Sequence, residues 1–142
     1  MRISAIAVVC TVLGGCVITS ESAEPYVAGY TADELRELTQ TEKSILAKEF
    51  SKSLKDPDSA KFEWTKVPKN WSGKSILDYC ATLNAKNSYG GYVGLQPFVG
   101  RITIAGGKIS GGSITGLASN AGERQIVTEM CAKKGLDPSP RV

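Results

Sequence analysis

The sequence predicts an α+β domain, an antiparallel sheet of about four strands flanked by an N-terminal and a C-terminal helix. Three observations predict it. Apolar residues recur at helical spacing near both ends of the domain. Between them, short runs alternate apolar with polar residues, as half-buried strands do. Gly106-Gly107 separates two such runs, as a tight hairpin turn requires. Helix, then strands, then helix implies helices covering one face of the sheet.

Each element has its own signal. Thr31 to Leu54 reads as helix, with Thr31-Ala-Asp-Glu34 as a capping box at its start. Leu35, Leu38, Ile45, Leu46, Phe50 and Leu54 form its apolar stripe. Thr39 and Glu42 make a second capping box, so the segment can also be two helices with a break near Thr39 to Thr41. Asp56-Pro57-Asp58-Ser59 ends it, because proline disfavours helix in the residue before it, and Asp and Ser stabilise turns. Ala60, Phe62 and Trp64 then alternate with Lys61, Glu63 and Thr65 as a first strand. Pro68 to Lys74 reads as a loop. Leu77, Tyr79, Ala81 and Leu83 alternate with Asp78, Cys80, Thr82 and Asn84 as a second strand.

Asn84 to Gly91 is a polar, Gly-ended connection in which Gly90-Gly91 permit positive φ. Tyr92 to Val99 is a third strand, and Pro97 hints at an edge or a bulge. Arg101 to Ala105 continues it or forms a fourth. Lys108 to Ile114 returns after the hairpin turn, weakened as a strand by its glycines. The last helix is capped by Asn120, with Glu123 at the reciprocal position. Ile126, Val127, Met130 and Cys131 make its apolar face, and Gly135 ends it.

The chain has four cysteines. Ile3 to Leu13 is apolar or small throughout, with Arg2 as its positive flank. It is too short to span a bilayer, which takes about 20 apolar residues, and it matches a secretory leader. The ending Leu13-Gly14-Gly15-Cys16 resembles the lipobox of bacterial lipoproteins. The resemblance implies that Cys16 receives a diacylglyceryl group, becomes the new N-terminus and is usually acylated again. Two or three acyl chains hold a protein firmly to a bilayer. The other reading is an ordinary secretory signal cut elsewhere, for example near Ala23. The organisation expected is a leader over residues 1–15, a lipidated tether over 16–30 and one domain over 31–142. Within the tether, Ile18 to Ala28 is polar and small and serves as a spacer. Val17, where an Asp would favour the inner membrane, resembles the outer-membrane pattern. The expected location is the bacterial cell envelope, at the outer membrane and facing the periplasm.

Cys10 leaves with the leader, so Cys80 and Cys131 remain as one pair. In an oxidising compartment they can form a disulfide. It would close a loop of about 50 residues and contribute ~3–4 kcal/mol in the chain-entropy model. Cys80 falls on the alternation opposite Leu77 and Tyr79. Either the sheet is buried on both faces or the register shifts there. Two buried free thiols are the competing reading.

Two blocks, Leu54-Lys-Asp-Pro-Asp-Ser-Ala-Lys-Phe62 and Tyr79-Cys-Ala-Thr-Leu-Asn-Ala-Lys-Asn-Ser-Tyr-Gly-Gly-Tyr-Val-Gly-Leu-Gln-Pro-Phe98, resemble a group of small exported bacterial proteins. Many members are lipoproteins, with a KDPxSAxF turn and an NAKNxxGGYxG loop. The resemblance implies a fold and a compartment but carries over no catalytic residue. Read as residues, Asn84, Lys86 and Asn87 supply side chains for a turn. Tyr89 and Tyr92 offer flat, partly apolar contacts.

The formal net charge is +3, and it falls to about +2 without Arg2. Lysines and glutamates are interleaved, as on a solvated surface, so no basic face for nucleic acid is expected. There is no histidine, which removes the commonest general base and metal ligand. Ser72-Gly73-Lys74-Ser75 lacks the upstream glycine of a phosphate loop, since position 68 is Pro68. The glycines of 110–116 lack a dinucleotide-fingerprint spacing. No Cys-x-x-Cys occurs, and two cysteines are too few for structural zinc. Asp33, Glu34 and Glu37 share a helix start, where capping explains them. No catalytic residue, cofactor or metal is expected.

The function expected is therefore that of a non-enzymatic envelope lipoprotein, a binding module held to the membrane through Cys16. Its contact surface for an envelope protein partner would comprise Trp71, Asn84, Asn87, Tyr89 and Tyr92. The competing readings are a periplasmic inhibitor of an exported hydrolase and a small hydrolase with a serine or carboxylate site. The loops are not acidic, which disfavours a basic lysozyme-like target. A serine and a lysine base can meet in space without a sequence motif.

Overall fold

The computed structural model describes residues 29–138. The leader, most of the tether with Cys16, and the last four residues lie outside the described residues. The chain begins with a 3-10 turn (Ala32–Glu34), β1 (Leu35–Arg36) and α1 (Gln40–Ser51). A second 3-10 turn (Pro57–Ser59), β2 (Lys61–Glu63) and β3 (Val67–Pro68) follow. The long strands are β4 (Ile76–Asn84), β5 (Gln96–Ala105) and β6 (Lys108–Leu117), and α2 (Ala121–Lys133) closes the fold. The main sheet is antiparallel in the order β2-β4-β5-β6. The α+β architecture read from the sequence is the observed one.

Both capping boxes are used, and that splits the expected N-terminal helix. Thr31 donates through N–H and Oγ to the Glu34 carboxylate, both at 2.8 Å, but this box starts only a 3-10 turn. The chain then extends, and β1 pairs with β3. Thr39 starts the true helix: its Oγ1 accepts from Glu42 N–H at 3.3 Å, and its N–H donates to Glu42 Oε2 at 2.8 Å. A capping box satisfies the free N–H groups of a first turn, so the second box marks a new helix start. Leu54 falls beyond α1 but still packs on the core.

The helices lie on opposite faces of the sheet, not on one. Successive strand residues point to opposite sides. Leu77, Tyr79, Ala81 and Leu83 of β4 therefore join Leu46 and Phe50 of α1 in the main core. Cys80 faces the other way, into a smaller cluster with Ala118, Val127, Cys131 and Leu136. Cys80 and Cys131 are bonded, with Sγ atoms 2.05 Å apart. Burial on both faces settles the question of register, because Cys80 keeps its alternation.

Phe50 is the centre of the main core. Its ring lies 5.3 Å from Phe98, 6.1 Å from Tyr79, 6.2 Å from Phe62 and 6.4 Å from Trp64. Glycine on β6 makes that possible: a Cβ on Gly112 would stand 2.7 Å from Phe50 Cε1 and 3.2 Å from Leu46 Cδ2. The glycines that weaken β6 as a strand thus make the floor on which α1 sits.

Strand boundaries differ from expectation in several places: β2 stops at Glu63, Pro68 pairs in β3, and β6 runs on to Leu117. Tyr92 to Leu95 lie outside the strand, with Tyr92 making only an isolated bridge to Lys86. Gln96 to Ala105 form one continuous β5, against which β6 shifts register opposite Val99/Gly100 and Thr103/Ile104, with Thr115 and Ser110 as its extra residues. Pro97 is on this internal strand, not at an edge. Its carbonyl accepts from Ala118 N–H at 3.0 Å, just beyond the end of β6. The hairpin turn is at Gly106-Gly107, with φ of 57° and 74°, where side-chain-bearing residues are strained.

Candidate functional site

Four of the five proposed contact residues come together in the connection between β4 and β5. Asn84 Oδ1 accepts from Gly94 N–H at 3.1 Å, drawing the two ends of the loop together. Asn87 builds the tip: its Oδ1 accepts from Tyr89 N–H at 2.9 Å and Gly91 N–H at 3.2 Å. Its backbone N–H donates to Gly91 O at 2.8 Å. This is the turn chemistry expected of asparagine. Gly90 has positive φ, whereas Gly91 does not. The turn lifts Tyr89 clear of the domain, leaving it 95% exposed, and Tyr92 is 44% exposed.

The floor of the loop is the other sequence block. Ser59 Oγ donates to Asp56 O and accepts from Lys86 N–H, both at 2.9 Å. Tyr92 OH donates to Ser59 O at 3.2 Å. Lys55 Nζ donates to Ser88 Oγ at 3.1 Å. The two blocks that stand out in the sequence are one structural unit. They also set three lysines around the loop, Lys55 against Ser88 and Lys61 and Lys86 against Tyr92, which the sequence reading did not pick out as a group. Lys61 Nζ is 4.6 Å and Lys86 Nζ 5.7 Å from the centre of the Tyr92 ring. Asp56 and Asp58 share the turn, yet Lys55, Lys61 and Lys86 form no ion pair among the described residues. A cation on an aromatic face is weakly held at an exposed site, so these ammonium groups can be shared with an anion.

Trp71 does not belong to this surface. Its indole N–H donates to Gly107 O at 3.0 Å, and the Arg36 guanidinium carbon is 4.9 Å from its ring centre. That is the opposite end of the sheet, where Ile76 pairs with Thr103, whereas the loop leaves from the Leu83–Gln96 end. Trp71 is half-buried against the core and seals the β5–β6 turn.

Other chemistry is sparse. Tyr79 is buried, and burial pushes its hydroxyl up to about 12 against the hydrogen bonds from Thr65. It donates to Thr65 O and accepts from Thr65 N–H, so it is a structural clamp. A shallow cleft of about 370 Å³ lies between Tyr30, Leu35, Thr65 and Asp137. A second, of about 380 Å³, lies between Gln40, Lys43, Phe62 and Trp64. Neither includes a loop residue. The Ser88–Lys55 contact is the geometry a serine–lysine pair would need, but both residues are exposed. Among the described residues no cluster of three His, Cys, Asp or Glu residues could hold a metal ion. Nor is any helix among them long and apolar enough to cross a membrane. No family model, curated protein or solved structure matches this chain, so the reading of the loop rests on its own geometry.

Proposed function

We propose that this protein is a non-enzymatic cell-envelope lipoprotein, anchored through acyl chains on Cys16, whose β4–β5 loop docks another envelope component. The position of the loop carries the reading. At the start of the described residues, Tyr30 N–H donates to Lys134 O at 3.2 Å and its hydroxyl accepts from Lys74 Nζ at 3.3 Å. Lys134 pairs with Asp78, near the start of β4. The loop departs from Asn84 at the other end, about 20 Å of strand away. A domain tethered at one end would therefore hold Tyr89 and Tyr92 out from the bilayer.

The test has two parts. Metabolic labelling with a palmitate analogue should mark the wild-type chain and leave Cys16→Ser unlabelled and released from membranes. A photo-crosslinking residue at position 89 should capture an envelope component in living cells, and one at Lys108 should not. An unlabelled, freely soluble wild-type chain would overturn the anchor. Equal capture from both positions would overturn the loop.

A further inference from the structure

We infer that the ligand of the β4–β5 loop is an acidic cell-wall glycan, with Tyr89 stacking on a sugar ring and Lys55, Lys61 and Lys86 taking its carboxylates. The inference rests on the docking reading above and names the ligand class. Three observations lead to it. Lys61 and Lys86 flank the Tyr92 ring and Lys55 reaches Ser88 of the same loop, and none of the three has an ion-pair partner among the described residues although Asp56 and Asp58 share the turn, so the surface offers cations to an anion. Tyr89 is 95% exposed, so both faces of its ring are open, as a flat sugar face requires. Neither of the two clefts described above includes a loop residue, so what the loop offers is a surface contact to charge and to a ring face.

Position chooses among acidic glycans. The loop is at the end of the sheet away from Tyr30 and Lys134, where the described residues begin. Headgroups of the anchoring bilayer would lie on the tethered side. On the anchored reading, a carboxylate-bearing polymer beyond the membrane, the peptidoglycan, would lie on the side the loop faces.

The full-length chain in mild detergent should sediment with purified peptidoglycan sacculi. Raising salt from low to high ionic strength should weaken that binding about tenfold, because exposed charges are screened. Tyr89→Ala should weaken it about fivefold, the scale of one aromatic contact. Lys61→Gln with Lys86→Gln should weaken it and flatten the salt dependence, while Lys108→Gln at the far end should not. Poly-L-glutamate and neutral dextran serve as competitors that carry only charge or only sugar rings. Full competition by polyglutamate, with no effect of Tyr89→Ala, would reduce the site to a polyanion patch and overturn the inference. Failure to sediment while position 89 still captures a protein in cells would overturn the glycan and leave the docking reading standing. Failure of both would overturn both.

Discussion

The two faces of the sheet are held by different means. The face under α1 is packed: Leu46, Phe50, Tyr79, Leu83, Phe98 and Ile102 are fully buried there, around one aromatic cluster. The face under α2 is thin. Val127 and Cys131 are the buried residues of that helix, while Ile126 and Met130 are 59% and 46% exposed. What the second face lacks in apolar area it has in the Cys80–Cys131 bond. Small domains with little core to spare often use a disulfide in this way. The difference implies that the α1 face sets global stability, while the α2 face is a helix stapled onto a sheet that is complete without it.

The largest expected effect follows from this. Phe50→Ala should cost about 3–5 kcal/mol, the range for a buried aromatic truncation, and should unfold both faces together. Chemical denaturation followed by far-ultraviolet circular dichroism and by tryptophan fluorescence should give coincident, shifted transitions. A smaller and different effect is expected on the other face. Replacing Cys80 and Cys131 together by alanine removes a bond with a sequence separation of 51 residues, worth up to about 4 kcal/mol in the chain-entropy model. Hydrogen exchange should then rise first in α2, with the amides of β4 and β5 still protected. If the sheet loses protection in step with α2, the staple supports the whole core and the contrast between the faces is wrong.

The same contrast explains what the sequence made legible. Alternation in β4 identified Leu77, Tyr79, Ala81 and Leu83 as one buried face, and Thr39 with Glu42 marked the true start of α1. The cap at Asn120 is also present, through Glu123 N–H to Asn120 Oδ1 at 2.9 Å, though the Glu123 carboxylate turns to Ser119. The opposite placement of α2 was within reach: a bonded Cys80 on the alternate face requires its helix there. β1 and β3 were not within reach, because two residues have no periodicity and their pairing depends on a distant partner. In the loop, asparagine and glycine chemistry announced the turn. Trp71 misled, because an aromatic in a polar stretch reads as exposed until the fold supplies the Gly107 carbonyl. Lys55 and Lys61 stayed hidden because their contacts, with Ser88 and with the Tyr92 ring, are tertiary.

The smallest expected effect sharpens the comparison at the helix starts. The Arg36 guanidinium grips both oxygens of Glu42 at 2.8 Å, and with help from the Thr39 N–H it holds that carboxyl at about 2. At the start of α2, Ser119 donors lower Glu123 as well, in full exposure to water. A carboxyl lowered by folding stabilises the native state fully above its unfolded value, here 4.5. That contribution fades as the pH falls from there towards about 2. The pair is half-buried and still screened by solvent, so about 1 kcal/mol is the upper end for Glu42. Urea midpoints measured between neutral pH and strong acid should therefore fall more steeply in the wild type than in Glu42→Gln. Arg36 also lies over Trp71, so freeing the guanidinium should change tryptophan emission in the same pH window, before the sheet unfolds. On α2, protonating Glu123 should loosen the first turn alone, because Cys131 keeps the far end of the helix bonded to Cys80. Equal acid sensitivity in wild type and Glu42→Gln would mean that the α1 face relies on packing alone, with no electrostatic clip at its edge.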